Sequence, residues 1–207
     1  AALGEGEDIL DLAFSPDSRR LYVAMAGAGL HVLDSDPASP GFGQELPPPT
    51  DLFASSPASL ATDPLGRFLL VGGSPAGTMV TFLTPQGGFV DTVRTPSAPT
   101  SLAVTGDGRY LVAGMNGQAQ VIDLSLGSVV ATTPSHPVAG SLLSVAVVGD
   151  GTRAAGLFPN STLAVWNLDP LAGPVGAELY FGNPFPPGTV SQLVPAPDGD
   201  GLLAGCT

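Results

Sequence analysis

The chain has no lysine. All six of its basic residues are arginine, against 18 aspartates and glutamates, which gives a net charge of −12. Such a surface repels phosphate backbones and anionic lipid, so nucleic-acid binding and electrostatic membrane association are excluded. One cysteine, Cys206, rules out an internal disulfide framework. No apolar run approaches the roughly 18 residues of a membrane helix, so membrane insertion by that route is not expected. Charged residues make up only 12% of the chain, which leaves much neutral surface for a partner.

What is abundant is turn chemistry. Twenty-eight glycines and 22 prolines in 207 residues lie scattered between short apolar runs, the composition of many short strands joined by many turns. Five segments align on one such turn. They are Asp11 to Arg19, Ser59 to Arg67, Ser101 to Arg109, Ser144 to Thr152 and Gln192 to Asp200, with turn positions at Asp17, Leu65, Asp107, Asp150 and Asp198. Their spacing of 42 to 48 residues is that of propeller blades.

Each repeat reads as an entering strand, a Pro-Asp or Asp-Gly turn, and an apolar second strand such as Leu21 to Ala24 or Tyr110 to Ala113. A third strand ending in a polar residue follows (Asp34, Thr84, Asp123, Asn167), then a variable outer strand. Runs of four to six residues are too short for helices. The expected fold is all-β: a β-propeller of four-stranded antiparallel blades starting near residues 9, 58, 100, 143 and 190. Residues 1–207 form a single domain in this reading, incomplete after its second strand in the fifth blade. About four and a half blades are present, as part of a propeller of six to eight.

The Ser15-Pro16-Asp17 turn, the Leu21-Tyr22-Val23-Ala24 strand and the Val121-Ile122-Asp123 strand end resemble the YVTN class of propeller repeats. Leu163 to Leu168 resembles the signature strand of WD repeats, with Asn167 in place of Asp and without their Gly-His pair. The resemblance implies the architecture. It does not imply an activity, because propellers include lactonases, redox-enzyme subunits and scaffolds.

That frame places the candidate sites. Asp11, Ser59, Ser101, Ser144 and Gln192 occupy one position of the innermost strands and are expected to line a channel. Only Asp11 among them ionises, so no acid–base or metal site is expected there. His31 and His136 fall at different points of the repeat and are expected to be structural or surface residues. No catalytic, cofactor-binding or metal-binding residue is assigned.

Arg19, Arg20, Arg67, Arg109 and Arg153 lie at or just after the repeated turn, where they either pair with local aspartates or form a docking face. Tyr180, Phe181 and Phe185 give the connector Pro170 to Gly188 aromatic binding potential. Leu203 to Cys206 resembles a lipoprotein cleavage box but aligns as a repeat strand. The expected role is a non-catalytic scaffold or protein-binding module in an extracytoplasmic (periplasmic or secreted) assembly, partnered by another protein or by further blades. The alternative is part of a propeller enzyme, lactonase-like or a redox-enzyme subunit, whose reactive residues lie on other blades.

Overall fold

The computed structural model describes residues 8–47, 57–73, 77–136, 139–148, 151–185, 190–196 and 201–206. Seventeen strands dominate the regular structure of the described residues, with a 3-10 turn at Pro159–Ser161 and no α-helix among them. Contacts divide the chain into two compact units, Ala1–Pro99 and Thr100–Thr207.

The first unit holds two antiparallel sheets. In one, β1 (Ile9–Phe14), β2 (Arg20–Met25) and β3 (Gly29–Asp34) pair in sequence order; in the other, β4 (Ser59–Thr62), β5 (Leu69–Gly72), β6 (Met79–Leu83) and β7 (Phe89–Arg94) do so. The second unit holds three. Their strands are β8 (Ser101–Val104), β9 (Tyr110–Gly114), β10 (Ala119–Asp123) and β11 (Ser128–Thr132); β12 (Ser144–Val148), β13 (Arg153–Phe158), β14 (Thr162–Asn167) and β15 (Glu178–Gly182); and the pair β16 (Val190–Pro195) and β17 (Leu202–Cys206). The fourth strand expected near Gly43 to Glu45 is reduced to one bridge, Leu33 to Glu45. Gly41 and Gly43 flank it, and chain without side chains to pack against a neighbour gains little from extending a ladder.

Second and third strands read as unbroken apolar runs because both of their faces are covered. β5, β9 and β10 are buried at every residue. In the first unit Tyr22, Ala24, Leu30, Val32, Leu60, Leu69, Val71 and Leu83 join the two sheets in one core. In the second, Trp166 is fully buried with Tyr110, Val112, Val121, Leu142 and Phe158, and a further cluster ties Ala155 and Leu157 to Val190 and Leu193. Outer strands are largely exposed. Each carries a bulge at the same place: the register skips Val90, Val130 and Leu179. An extra residue twists an open edge away from further pairing, a common protection against aggregation.

Candidate partner-binding surfaces

The repeated turn is built the same way wherever it is described. In the first copy the Ser15 amide donates to the Arg20 carbonyl at 2.9 Å and the Ser18 amide to the Ser15 carbonyl at 2.8 Å. The Ser15 hydroxyl donates to Asp17 (2.6 Å) and accepts from the Arg20 amide (3.0 Å), while the Arg19 amide also donates to Asp17 (3.1 Å). Thr105 and Asp107 repeat this in the third copy, with the Thr105 hydroxyl 2.6 Å from Asp107 and the Arg109 amide 2.9 Å from it. In the second copy Leu65 stands where the aspartate would be, and Asp63 takes over both duties. Its fully buried carboxylate accepts from the Arg67 amide and from the Arg67 guanidinium at 2.6 and 3.2 Å. Asp150 and Asp198 lie outside the described residues.

The arginines of this turn therefore have different tasks. Arg67 is locked on Asp63. Arg19 reaches Asp36 at 3.4 Å rather than Asp17, and Arg109 lies 4.7 Å over the Tyr110 ring. Arg153 is exposed at the start of β13. Two turn carboxylates, Asp17 and Asp107, are held below the ordinary carboxylate range. The Ser15 hydroxyl and Arg19 amide hold Asp17 below the ordinary carboxylate range. Burial pushes Asp107 up, but the Thr105 hydroxyl and Arg109 amide outweigh it and the net shift is down.

The polar residues of the innermost strands are joined to the neighbouring sheet. Asp11 accepts from the Leu60 amide at 2.7 Å and the Ser59 hydroxyl at 3.1 Å. Ser101 accepts from the Val145 amide at 2.9 Å, and Ser144 from the Leu193 amide at 3.1 Å. The geometry is one rule applied three times. The residue after the polar position points its N–H away from its own ladder, because the inner strand is a sheet edge, and the side chain of the preceding sheet supplies the acceptor. Gln192, in the same position on β16, is exposed.

This stacking of antiparallel sheets, joined inner strand to inner strand, agrees with the structural comparison. A chain of Kuenenia stuttgartiensis hydrazine synthase superposes with a TM-score of 0.68 over 96% of this chain and 57% of that one, at 17% identity. The chain folds as β-propeller blades. It spans a little over half the length of that relative, and 1406 solved chains match in all, which identifies an architecture and no activity. No protein-family model and no curated protein matches the sequence.

At the outer edge of the fourth blade, Tyr180 and Phe181 on β15 are 44% and 40% exposed. Phe181 stacks on the His136 ring at 3.7 Å with the planes 8° apart, and His136 Nε2 lies 2.6 Å from Glu178 Oε2. His136 thus fastens the connector before β12 to the outer strand of the same blade. His31 makes an equivalent contact with Glu45, also at 2.6 Å. Phe185 packs against the Leu157 and Leu193 cluster and presents less surface than Tyr180. The two histidine–glutamate pairs were missed in the sequence, since nothing in the spacing of His31 and Glu45 or of His136 and Glu178 marks them. Among the described residues no three His, Cys, Asp or Glu side chains converge as a metal site.

Proposed function

We propose that this YVTN-like propeller is a non-catalytic module in an extracytoplasmic assembly, in which another polypeptide or further blades cover an exposed blade face. One observation carries the reading. The residue after the inner-strand polar position is buried under the preceding blade at Leu60 (5% exposed), Val145 (6%) and Leu193 (3%), whereas its counterpart Leu12 is 52% exposed. Ile9, Leu10 and Phe14 on the same strand are 55%, 44% and 56% exposed. A contiguous apolar strand of this kind marks a protein contact more often than bare solvent-facing surface. Its Leu12 amide is taken by its own Asp11 carboxylate at 2.8 Å. Further support comes from Asp11, Ser101 and Ser144, whose polar atoms serve contacts between blades.

A photo-crosslinking residue at position 12 or 14, introduced into producing cells, tests this. The expected result is a discrete adduct with one polypeptide, identified by mass, and none from the exposed control position Leu126. Absence of any adduct at 12 and 14 would overturn the reading of this face as a contact with another polypeptide.

A further inference from the structure

The first copy of the turn differs from the second and third at the residue that opens the second strand. After the turn arginine the second and third copies carry an aromatic, Phe68 and Tyr110, and the arginine lies over that ring, Arg67 at 5.5 Å and Arg109 at 4.7 Å. In the first copy that position holds a second cation, Arg20, beside the turn arginine, and in the fourth it holds Arg153 after Thr152. The groove beside each position is made of equivalent pieces: one turn, the turn of the next blade, and the third-to-outer turn of that next blade. Where Tyr110 and Arg109 fill it, between the third and fourth blades, about 110 Å³ remains. Where Arg20 stands instead, between the first and second blades, the cleft opens to about 340 Å³, within the range that takes a small ligand or a side chain and its neighbour.

The lining is specific. Pro16, Pro64, Leu65 and Pro85 make apolar walls, and Asp17, Arg20 and Gln86 supply the polar groups. The Arg20 guanidinium gives one hydrogen bond, at 3.3 Å, to the Pro85 carbonyl, which also accepts the Tyr22 hydroxyl at 2.7 Å. Among the described residues no carboxylate lies within ion-pair distance of Arg20. The two that feel its charge, Asp17 and Asp34, are already held by the Ser15 and Ser39 hydroxyls and by backbone amides. A half-buried guanidinium with donors to spare, fixed by Tyr22 and Pro85 and walled by proline, is a receptor for a planar anion.

We propose that this cleft binds an acidic side chain of a partner polypeptide, flanked by an apolar residue, with Arg20 pairing with the carboxylate and the prolines and Leu65 packing the apolar neighbour. The fixed charge of Asp17 beside the site disfavours a dianionic phosphate and tolerates a single carboxylate. Leu65 is 61% exposed on the rim, so an occupant that covers it must extend beyond the cleft, which favours a peptide over a free acid. The proposal rests on the protein-binding reading but uses a different surface from the β1 face, so either can fail alone.

The probe is a capped pentapeptide with one glutamate between two leucines, titrated against the full chain, with its glutamine counterpart as control and 3-phenylpropionate as the free acid. The glutamate peptide is expected to bind about fivefold or more tighter than the glutamine one, as a partly screened charge-assisted pair allows. Arg20→Met should erase the difference, Arg20→Lys should restore part of it, and Arg109→Met should leave it intact. In the unmodified protein the side-chain amide resonance of Gln86 should shift on saturation, a readout independent of any variant's folding. Equal affinity for the two peptides, no binding by either, or an unmoved Gln86 signal overturns the proposal. Phenylpropionate binding as tightly as the peptide overturns its polypeptide source.

Discussion

Replacing Ser144 by alanine tests whether the inner-strand polar row stabilises the stack of blades. The hydroxyl accepts the Leu193 amide at 3.1 Å and donates to the Leu193 carbonyl at 3.3 Å, and both residues are buried. Alanine removes both bonds. The Leu193 amide then faces an apolar cluster of Ala146, Ala155 and Leu157 from an edge strand, with no ladder partner on that side. A net hydrogen bond contributes about 1 kcal/mol, and a buried amide left unpaired costs about 1–3 kcal/mol, so the expected loss is ~2 kcal/mol. With a urea slope of about 2–3 kcal/mol/M, the unfolding midpoint should fall by roughly 0.7–1 M. The chain's single tryptophan, Trp166, is fully buried in the adjoining core, so its fluorescence follows this unit without assuming that both compact units unfold together. Ser128→Ala, on an exposed outer strand, is the control and should change stability by less than about 0.5 kcal/mol. If Ser144→Ala loses no more than that control, the link between blades contributes nothing net and the reasoning from recurrent geometry fails.

Two further outcomes follow from the turns. Ser18 sits at φ 59°, where the other copies have Gly66, Gly108 and Gly151, so Ser18→Gly should stabilise by about 1 kcal/mol and raise Tm in a thermal melt. Asp17, Asp34, Asp107 and Asp123 all have folded pKa values below the ordinary 3.8. A depressed folded value contributes stability that is present above the unfolded pKa and lost as pH falls through the folded one. Tm should therefore hold from neutral pH to about pH 5 and drop below about pH 4. Asp123→Asn should flatten part of that drop; an unchanged slope would mean the Ser125 and Leu126 hydrogen bonds do not set the charge of Asp123.

The strands and turns were legible in the sequence because the repeat states them several times over. The polar ends of the third strands are an instance. Asp34, Thr84, Asp123 and Asn167 differ chemically, yet each hydrogen-bonds the turn that leads outward, Thr84 to the Gly88 amide and Asn167 to the Asp169, Gly173 and Pro174 carbonyls. The fourth second strand, Ala154-Ala155-Gly156-Leu157, looks weak because its local pattern is blurred by a distant demand. A Cβ on Gly156 would stand 2.4 Å from the Trp166 ring, so small residues there make room for the one tryptophan. The missing outer strand at Glu45 and the histidine–glutamate pairs were not legible, since they depend on where loops of unlike length return to the blade.

The same contrast indicates where function should be sought in such a protein. Positions that agree across copies, such as the serine or threonine of the turn and the acceptor of the inner strand, are explained by what each blade needs to fold and stack. A position that breaks the pattern has no such explanation when the fold would be better satisfied by conforming. Phe68 and Tyr110 each give their arginine a ring to lie on; Arg20 gives Arg19 a like charge one residue away instead. The departure also leaves a guanidinium with donors to spare and opens the adjoining cleft. Leu12 conforms in sequence, yet it is exposed where Leu60, Val145 and Leu193 are each buried under the preceding sheet. Conformity across blades reports the architecture, and Arg20 and Leu12 lie on separate surfaces of the first blade, so recognition at either surface can be tested without the other.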